Sequence, residues 1–299
     1  AAFLQSDIFY RFRSSKITIA AFLITLFIVM AAILAPWIAP HNPFDVSTLS
    51  LWDSELPPVW TEEGDPRFLL GTDNQGRDVL SAILYGSRIS LAVGFVSVAF
   101  AMVIGIIVGL VSGYFGGAVD AFFMRIADVM LSFPTILVAL LVSGIARGVL
   151  PREMHDSAAL VVLVFAITIT TWVQYARTVR SSTMVERSRE YVYAAQLVGR
   201  RPFAILFQHI LPNVMSPIMV SATLGIATAI ITESALSFLG LGFPPDFPTW
   251  GRLLFDATDF MQQHPERVMW PGLAISLTVL SVNYMGDGLR DVTAPENRS

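Results

Sequence analysis

The chain reads as an all-α polytopic membrane protein with six transmembrane helices. Three observations say so. Of its 299 residues 54% are hydrophobic and only 14% charged, with mean hydropathy +0.63; a soluble domain carries about 25% charged residues. Six uncharged runs approach the roughly 20 residues that cross about 30 Å of hydrocarbon. Basic residues also separate onto alternate connecting segments, the asymmetry that sets topology in a bilayer.

The spans are expected at 17–35, within 89–111, at 129–146, 157–176, 210–232 and 268–285. Pro36 is expected to end the first and Pro134 falls near the start of the third. Runs two, three and five are rich in Gly, Ala and Ser, the small residues that let helices approach closely in lipid. Residues 17–35 read as a span rather than a cleaved signal peptide, because no small-residue cleavage site is followed by a soluble domain. The sequence begins at Ala1 rather than Met, which leaves room for a missing N-terminal piece.

Orientation follows from the cations. With the N-terminus inside, the inner segments hold Arg11, Arg13, Lys16, Arg125, Arg177, Arg180, Arg187, Arg189, Arg200, Arg201, Arg290 and Arg298. The outer segments hold only Arg67, Arg77, Arg88, Arg147, Arg152, Arg252 and Arg267. Eight acids lie between Pro36 and Arg88. Both termini are therefore placed in the cytoplasm: an inner segment 1–16, a first span 17–35, an outer segment 36–88, a five-helix core 89–285 and a tail 286–299.

The outer segment contains Gly71-Thr72-Asp73-Asn74-Gln75-Gly76-Arg77-Asp78. Calcium-loop spacing fails here, since it needs Gly at position six and Glu at twelve. The favoured reading is a turn capped by Thr72, with Asp73 and Asp78 pairing with Arg77 or Arg88. Between spans two and three, Ser112-Gly113-Tyr114-Phe115-Gly116-Gly117 makes a tight turn. Asp120, Arg125 and Asp128 follow at helical spacing, either as a proton relay or as an interfacial ion-pair group; their place at a helix entrance favours the second.

The long charged interruption at 177–212 is the informative one. Tyr191, Ala194, Ala195 and Val198 share a side at helical spacing, and Gly199 is suited to stop that helix. Pro202 is suited to open the next, and Pro212 to close it after a short amphipathic run from Phe203 to Leu211. The expected shape is a helix–Gly–helix elbow whose alanines admit another protein's backbone; the plainer reading is an ordinary basic loop. Glu233 follows span five directly. A carboxylate at bilayer centre costs about 2.5–3.5 kcal/mol, so it is expected to face a wet cavity, an outer gate or another subunit, or else to snorkel at the interface. Residues 243–250, with Pro244, Pro245 and Pro248, read as an outer loop. The chain closes on Gly286-Asp287-Gly288-Leu289-Arg290-Asp291 and Pro295, which read without further context as a helix C-terminal turn.

The elbow resembles the cytoplasmic EAA loop of ABC importer membrane subunits. Ala194-Ala195, Gly199, Leu211 and Pro212 fall at the matching spacing, although Tyr193 stands where that pattern has Glu and His209 where it has an aliphatic residue. The outer Gly-Thr-Asp element, the Ser-Gly-Tyr-Phe-Gly-Gly turn and the Gly-Asp-Gly-Leu-Arg-Asp tail occur in the same order in permeases of the dipeptide/oligopeptide/nickel family, second-subunit type. The likeness runs from about residue 17 to 295. It implies a type I ABC importer permease fold in the bacterial inner membrane, with a homologous permease, two ATP-binding subunits and an outer solute-binding protein as partners. It implies a coupling loop formed by Tyr191, Tyr193, Ala194, Ala195, Gly199, Arg200, Arg201, His209, Leu211 and Pro212. ATP and magnesium would sit on the partner ATPases, with no cofactor on this chain.

Enzyme chemistry has little to stand on. Lys16 is the sole lysine and is followed by Ile17, so no Gly-Lys-Ser/Thr phosphate loop is present. His41, His155, His209 and His264 are scattered and there is no cysteine, which argues against a catalytic metal. A net charge of −4 suggests no nucleic-acid partner. Two rivals remain: a proton-coupled carrier, which needs mid-membrane carboxylates and internal repeats that are not evident, and a membrane scaffold without transport.

Overall fold

A computed structural model describes residues 15–45, 49–244 and 247–293. Arg11, Arg13, Pro245, Pro295 and Arg298, which figured in the expectations above, lie outside the described residues. Among those described, the regular structure is helical apart from one isolated bridge between Thr72 and Asp78. The helices are α1 (Lys16–Ile38), α2 (Val79–Phe115), α3 (Gly117–Leu131), α4 (Thr135–Val149), α5 (His155–Glu186), α6 (Glu190–Leu197), α7 (Pro202–Ile205), α8 (Leu211–Phe238), α9 (Trp250–Thr258) and α10 (Pro265–Thr293). Five segments are long and apolar enough to cross a membrane, and the bent pair α3–α4 brings the number to six.

The departures from expectation each have a local cause. Pro36 lies inside α1 and does not end it. Proline there removes one hydrogen bond near the C-terminus, while Ala39 N–H still closes on the Ala35 carbonyl at 2.9 Å. Helix α2 is far longer than 89–111, because Asp78 caps its start: the carboxylate accepts the Ser81 N–H at 2.9 Å. The helical boundary therefore falls at 78 rather than 88. The third span is not one rod. Ser132 Oγ and N–H both bond the Asp128 carbonyl, Pro134 offers no N–H, and α4 leaves α3 at 87°. The tail Gly286-Asp287-Gly288 is not a terminal turn but sits within α10, with Gly286 against Thr223 of α8 and Gly288 against Thr18 of α1.

Helix α2 packs along α5, and α8 lies on both; α10 and α1 cover the α2–α8 side, while α4 leans on α5. The α2–α5 seam is set by Gly105, Gly109 and Gly113, four residues apart on one face. A Cβ on Gly105 would strike Tyr175, one on Gly109 would lie 2.6 Å from the Ala176 carbonyl, and one on Gly113 2.7 Å from the Thr183 Cβ. Backbones meet there without side chains between them, as small-residue stripes permit in lipid. Above this seam Val98, Ala101, Ile167, Val173, Tyr175 and Ala222 form the central core. At its lower end Arg187, just past α5, donates from Nη1 to the Gly113 and Tyr114 carbonyls at 3.0 and 3.1 Å. That places a cation on the exposed carbonyl end of α2.

The stripe carries a direct test. Gly109→Leu overfills the seam and is expected to cost about 1–3 kcal/mol, lowering the thermal midpoint of the detergent-solubilised protein followed by helical circular dichroism. Gly148→Ala, whose Cβ meets nothing within 4 Å, should be neutral or stabilising by about 0.5–1 kcal/mol. Equal midpoints for G109L and wild type would refute the seam.

Candidate functional site

The 190–212 stretch folds as an elbow and turns over at Gly199, whose φ of +78° is a left-handed conformation that glycine adopts without a Cβ penalty. Arg200 N–H returns to the Ala195 carbonyl at 3.1 Å and Gly199 N–H to Gln196 at 2.9 Å, closing α6. Pro202 opens α7 in its first turn. Pro212 does not close the run. Chain direction is kept by a π-helical turn over Leu206–Ile210, in which Leu211 N–H reaches the Leu206 carbonyl. Widening the turn just before Pro212 takes up the missing N–H and the bulk of the ring, so the elbow's second limb continues into α8.

One side of the elbow is anchored. Val192, Ile205, Leu206 and Ile210 are buried against Leu110 of α2, Val179 of α5 and Val214 and Ile218 of α8. The inward face of α6 is thus carried by Val192 with Ala195 half-buried, whereas Tyr191, Ala194 and Val198 are exposed. Tyr191 instead fastens the elbow by its hydroxyl, which donates to Glu186 Oε2 at 2.6 Å and accepts from Asn213 Nδ2 at 3.1 Å. Burial, and then the hydrogen bond to Glu186, push its phenol above the usual tyrosine range. The other side is bare. Leu197 is 89% exposed and Val198 82%, flanked by exposed Tyr193, Ala194, Gly199, Arg200, Arg201 and Phe203. His209 carries no side-chain bond among the described residues; its carbonyl is taken by Asn213 Nδ2 at 2.8 Å.

Asp120 and Asp128 are paired, but across helices rather than within α3. Asp120 takes Arg180 of α5 side-on, the Nη2 contact being 2.5 Å, and Asp128 takes Arg177 at 2.5 Å. Arg125 is exposed and joins neither. The signal missed in the sequence was the match of Arg177 and Arg180 on one α5 turn with acids eight residues apart on α3. This pairing clamps α3 to α5 just before the elbow.

Glu233 faces neither a wet cavity nor an outer partner. It is fully enclosed within α8, where Oε2 accepts from Ser90 Oγ at 3.0 Å and Oε1 from Ser237 Oγ at 2.7 Å. Ser90 Oγ also receives the Trp250 N–H at 3.3 Å, so α2, α8 and α9 meet on this carboxylate. Hydroxyl donors offset part of what a buried acid costs. Helix α9, unforeseen because it is short, is capped by Thr249 and turns Trp250, Leu253 and Ala257 inward.

Among known families, the binding-protein-dependent transport system inner membrane component matches residues 79–299, and the N-terminal membrane domain of oligopeptide transport permease C matches 4–58. The chain belongs to the binding-protein-dependent transport permeases. Within this family it is 39% identical to the di/tripeptide transport system permease protein DppC of Pseudomonas aeruginosa, over 95% of this chain and 90% of that one. It is 37% identical to the oligopeptide permease protein OppC of Bacillus subtilis, over 99% and 90%. It is 39% identical to the glutathione permease protein GsiD of Pectobacterium atrosepticum, over 97% and 90%. A solved structure of the MetNI methionine ABC transporter shares the fold, with TM-score 0.58 at 20% identity over 71% of this chain and 97% of that one.

The Gly-Thr-Asp element is a packed cap on the far end of the bundle from the elbow. Thr72 Oγ1 donates to the Asp53 carbonyl and accepts the Leu56 N–H. Asp73 accepts the buried Arg77 at 2.6 Å, and Arg77 also lies 3.6 Å from Asp256 of α9. Asp78 pairs with neither arginine; it is the α2 cap, with His41 at 3.8 Å. No group of metal-ligating side chains occurs among the described residues.

Tyr191 gives a pH-dependent prediction. A phenol raised in the folded state stabilises below its unfolded value and loses that contribution as pH rises through the folded one. The Glu186–Tyr191–Asn213 link is therefore intact at neutral pH and is lost only above the ordinary value of about 10. Ultraviolet titration of wild type against Tyr191→Phe should give a difference curve with its midpoint above about 10; a midpoint at or below that value would refute the link.

Proposed function

We propose that this permease is the second of two homologous membrane subunits of an ATP-driven peptide importer, and that its elbow docks on an ATP-binding subunit. The observation that carries the docking is the bare apolar apex, Leu197 and Val198 with Tyr193 and Phe203, on a limb whose opposite face is built into the bundle. An apex so exposed is ill-suited to water and suited to a cleft on a partner. Continuity supplies the rest: the elbow's second limb and α8 form one unbroken helical segment, and Tyr191 and Arg187 tie the elbow to α8, α5 and α2. A displacement imposed at the apex is transmitted to spans rather than absorbed.

In this reading the elbow end is cytoplasmic, in keeping with the arginines around it. ATP draws the two ATPases together, both elbows follow, and the spans turn from inward-open to outward-open. The docked solute-binding protein then gives up its peptide, and hydrolysis resets the cycle. The peptide assignment is supported by relatives named for di/tripeptides, oligopeptides and glutathione. Glutathione is itself a tripeptide, so it stands within the same solute class. The chain is a transport subunit, and the ATPase chemistry belongs to separate chains.

Gly199→Trp tests the elbow. The new side chain meets nothing within 4 Å of the Cβ, so the bundle is spared, but the left-handed turn and the apex shape are not. In proteoliposomes containing the complete transporter, ATP-dependent dipeptide uptake is expected to fall more than about tenfold, as lost docking of a well-packed anchor would produce. Membrane insertion should be retained, and stability should fall by no more than about 1–2 kcal/mol, the cost of a side chain in the left-handed turn. Uptake at the wild-type rate would overturn the docking role.

A further inference from the structure

At the far end of the bundle from the elbow lies a cavity of about 310 Å³, the small end of the range for ligand pockets. It is walled by the C-terminal turn of α4, the first turns of α5 and the Gly240–Pro244 segment that leaves α8, with Arg252 of α9 on the remaining side. Arg147, His155 and Arg252 supply its charge-bearing groups, and no described carboxylate is in the lining.

These groups are not equally occupied. Arg252 is paired with Asp256 at 2.9 Å, yet its buried Nε has no hydrogen-bond partner. His155 Nε2 faces the Leu150 carbonyl at 2.9 Å and must donate there, which leaves Nδ1 as the free ring nitrogen. Arg147 has no acidic partner among the described residues. One terminal nitrogen makes two long bonds of 3.3 Å, to the Gly240 and Gly242 carbonyls, and the residue as a whole is exposed. Arginine holds its charge at any physiological pH and presents a planar fork that fits a carboxylate. A core or lipid-facing role asks for no such group.

We propose that this cavity receives the C-terminal carboxylate of the peptide as it enters the permease, with Arg147 as the group that recognises it. The proposal rests on the peptide-import reading and adds to it a place and a chemical handle. The α-carboxylate is what peptides of every sequence share, so a site built on it selects the class without selecting the side chains. The two glycine carbonyls hold the guanidinium in position until a stronger acceptor arrives, since a carboxylate adds its own charge and a bidentate fit that a carbonyl lacks.

The test uses the complete transporter in proteoliposomes, with dialanine and dialanine amide each loaded to saturation on the solute-binding protein. Wild type is expected to import the free acid at least about tenfold faster than the amide, the scale of a hydrogen bond to a charged group. Arg147→Gln should bring the free-acid rate to within about twofold of the amide rate, with ATP hydrolysis still stimulated by the loaded binding protein. Arg147→Met, which keeps the aliphatic stem, carries the same expectation should R147Q not assemble. Arg147→Lys should retain the preference. The proposal is overturned if wild type shows no preference, or if the free-acid to amide ratio is the same in the neutral variant as in wild type, whether or not both rates fall. Failure of the peptide-import reading looks different: wild type then moves neither solute in response to ATP, and this site loses its role with it.

Discussion

The close approach of α2 to α5 is the constraint on which everything else rests. Lipid offers helices no hydrophobic incentive to associate, so packing must come from contact itself. Gly105, Gly109 and Gly113 remove the side chains that would hold the backbones apart, and Tyr175, Val179 and Thr183 fill the space. With these two helices in register, α5 ends where Arg187 can close α2, and α6 begins where Val192 can be buried. The elbow is rigid because the seam beneath it is.

Polar contacts then set the two ends of the bundle apart. At the elbow end, ion pairs bind α3 to α5 through Asp120–Arg180 and Asp128–Arg177. Pairs at partly exposed sites add little to stability, about 0–1 kcal/mol each, but they fix which turn of α3 faces which turn of α5. At the other end the polar groups are buried and built differently. Glu233 is held by serines, and Arg77 by Asp73 with Asp256 nearby. Removing one member of such a cluster leaves a buried partner unsatisfied, which makes these assemblies structural rather than adjustable. The cavity at that end, lined by Arg147, stands out because this cation has no acidic partner among the described residues.

How much of this was legible in the sequence follows from the range of the interactions. Span number, the Gly199 turn and the Pro202 start were readable because hydropathy runs and backbone chemistry are local. So was the resemblance to importer permeases, which rests on short motifs in a fixed order. The failures share a cause. Pro36, Pro134 and Pro212 carry the same local signal, yet one sits inside a helix, one breaks a span and one follows a π turn, because their neighbours supply different substitutes for the missing bond. Arg125 was grouped with Asp120 and Asp128 by proximity in sequence, whereas the acids' partners come from 49 and 60 residues away. Glu233 looked interfacial because its hydroxyl donors, Ser90 above all, are invisible until α2 and α8 are packed together.

The wide turn at Leu206–Ile210 has a consequence of its own. It holds one residue more than an ordinary turn, and in an α-helix one residue is about 100° of rotation. The azimuth of the elbow about its supporting rod is therefore tied to that extra residue, which brings Leu206 and Ile210 onto the same buried face as Val214 and Ile218. Gain or loss of a single amino acid there would swing these side chains off that face by about 100° and unseat the elbow. That turn thus constrains chain length as firmly as the seam constrains side-chain size.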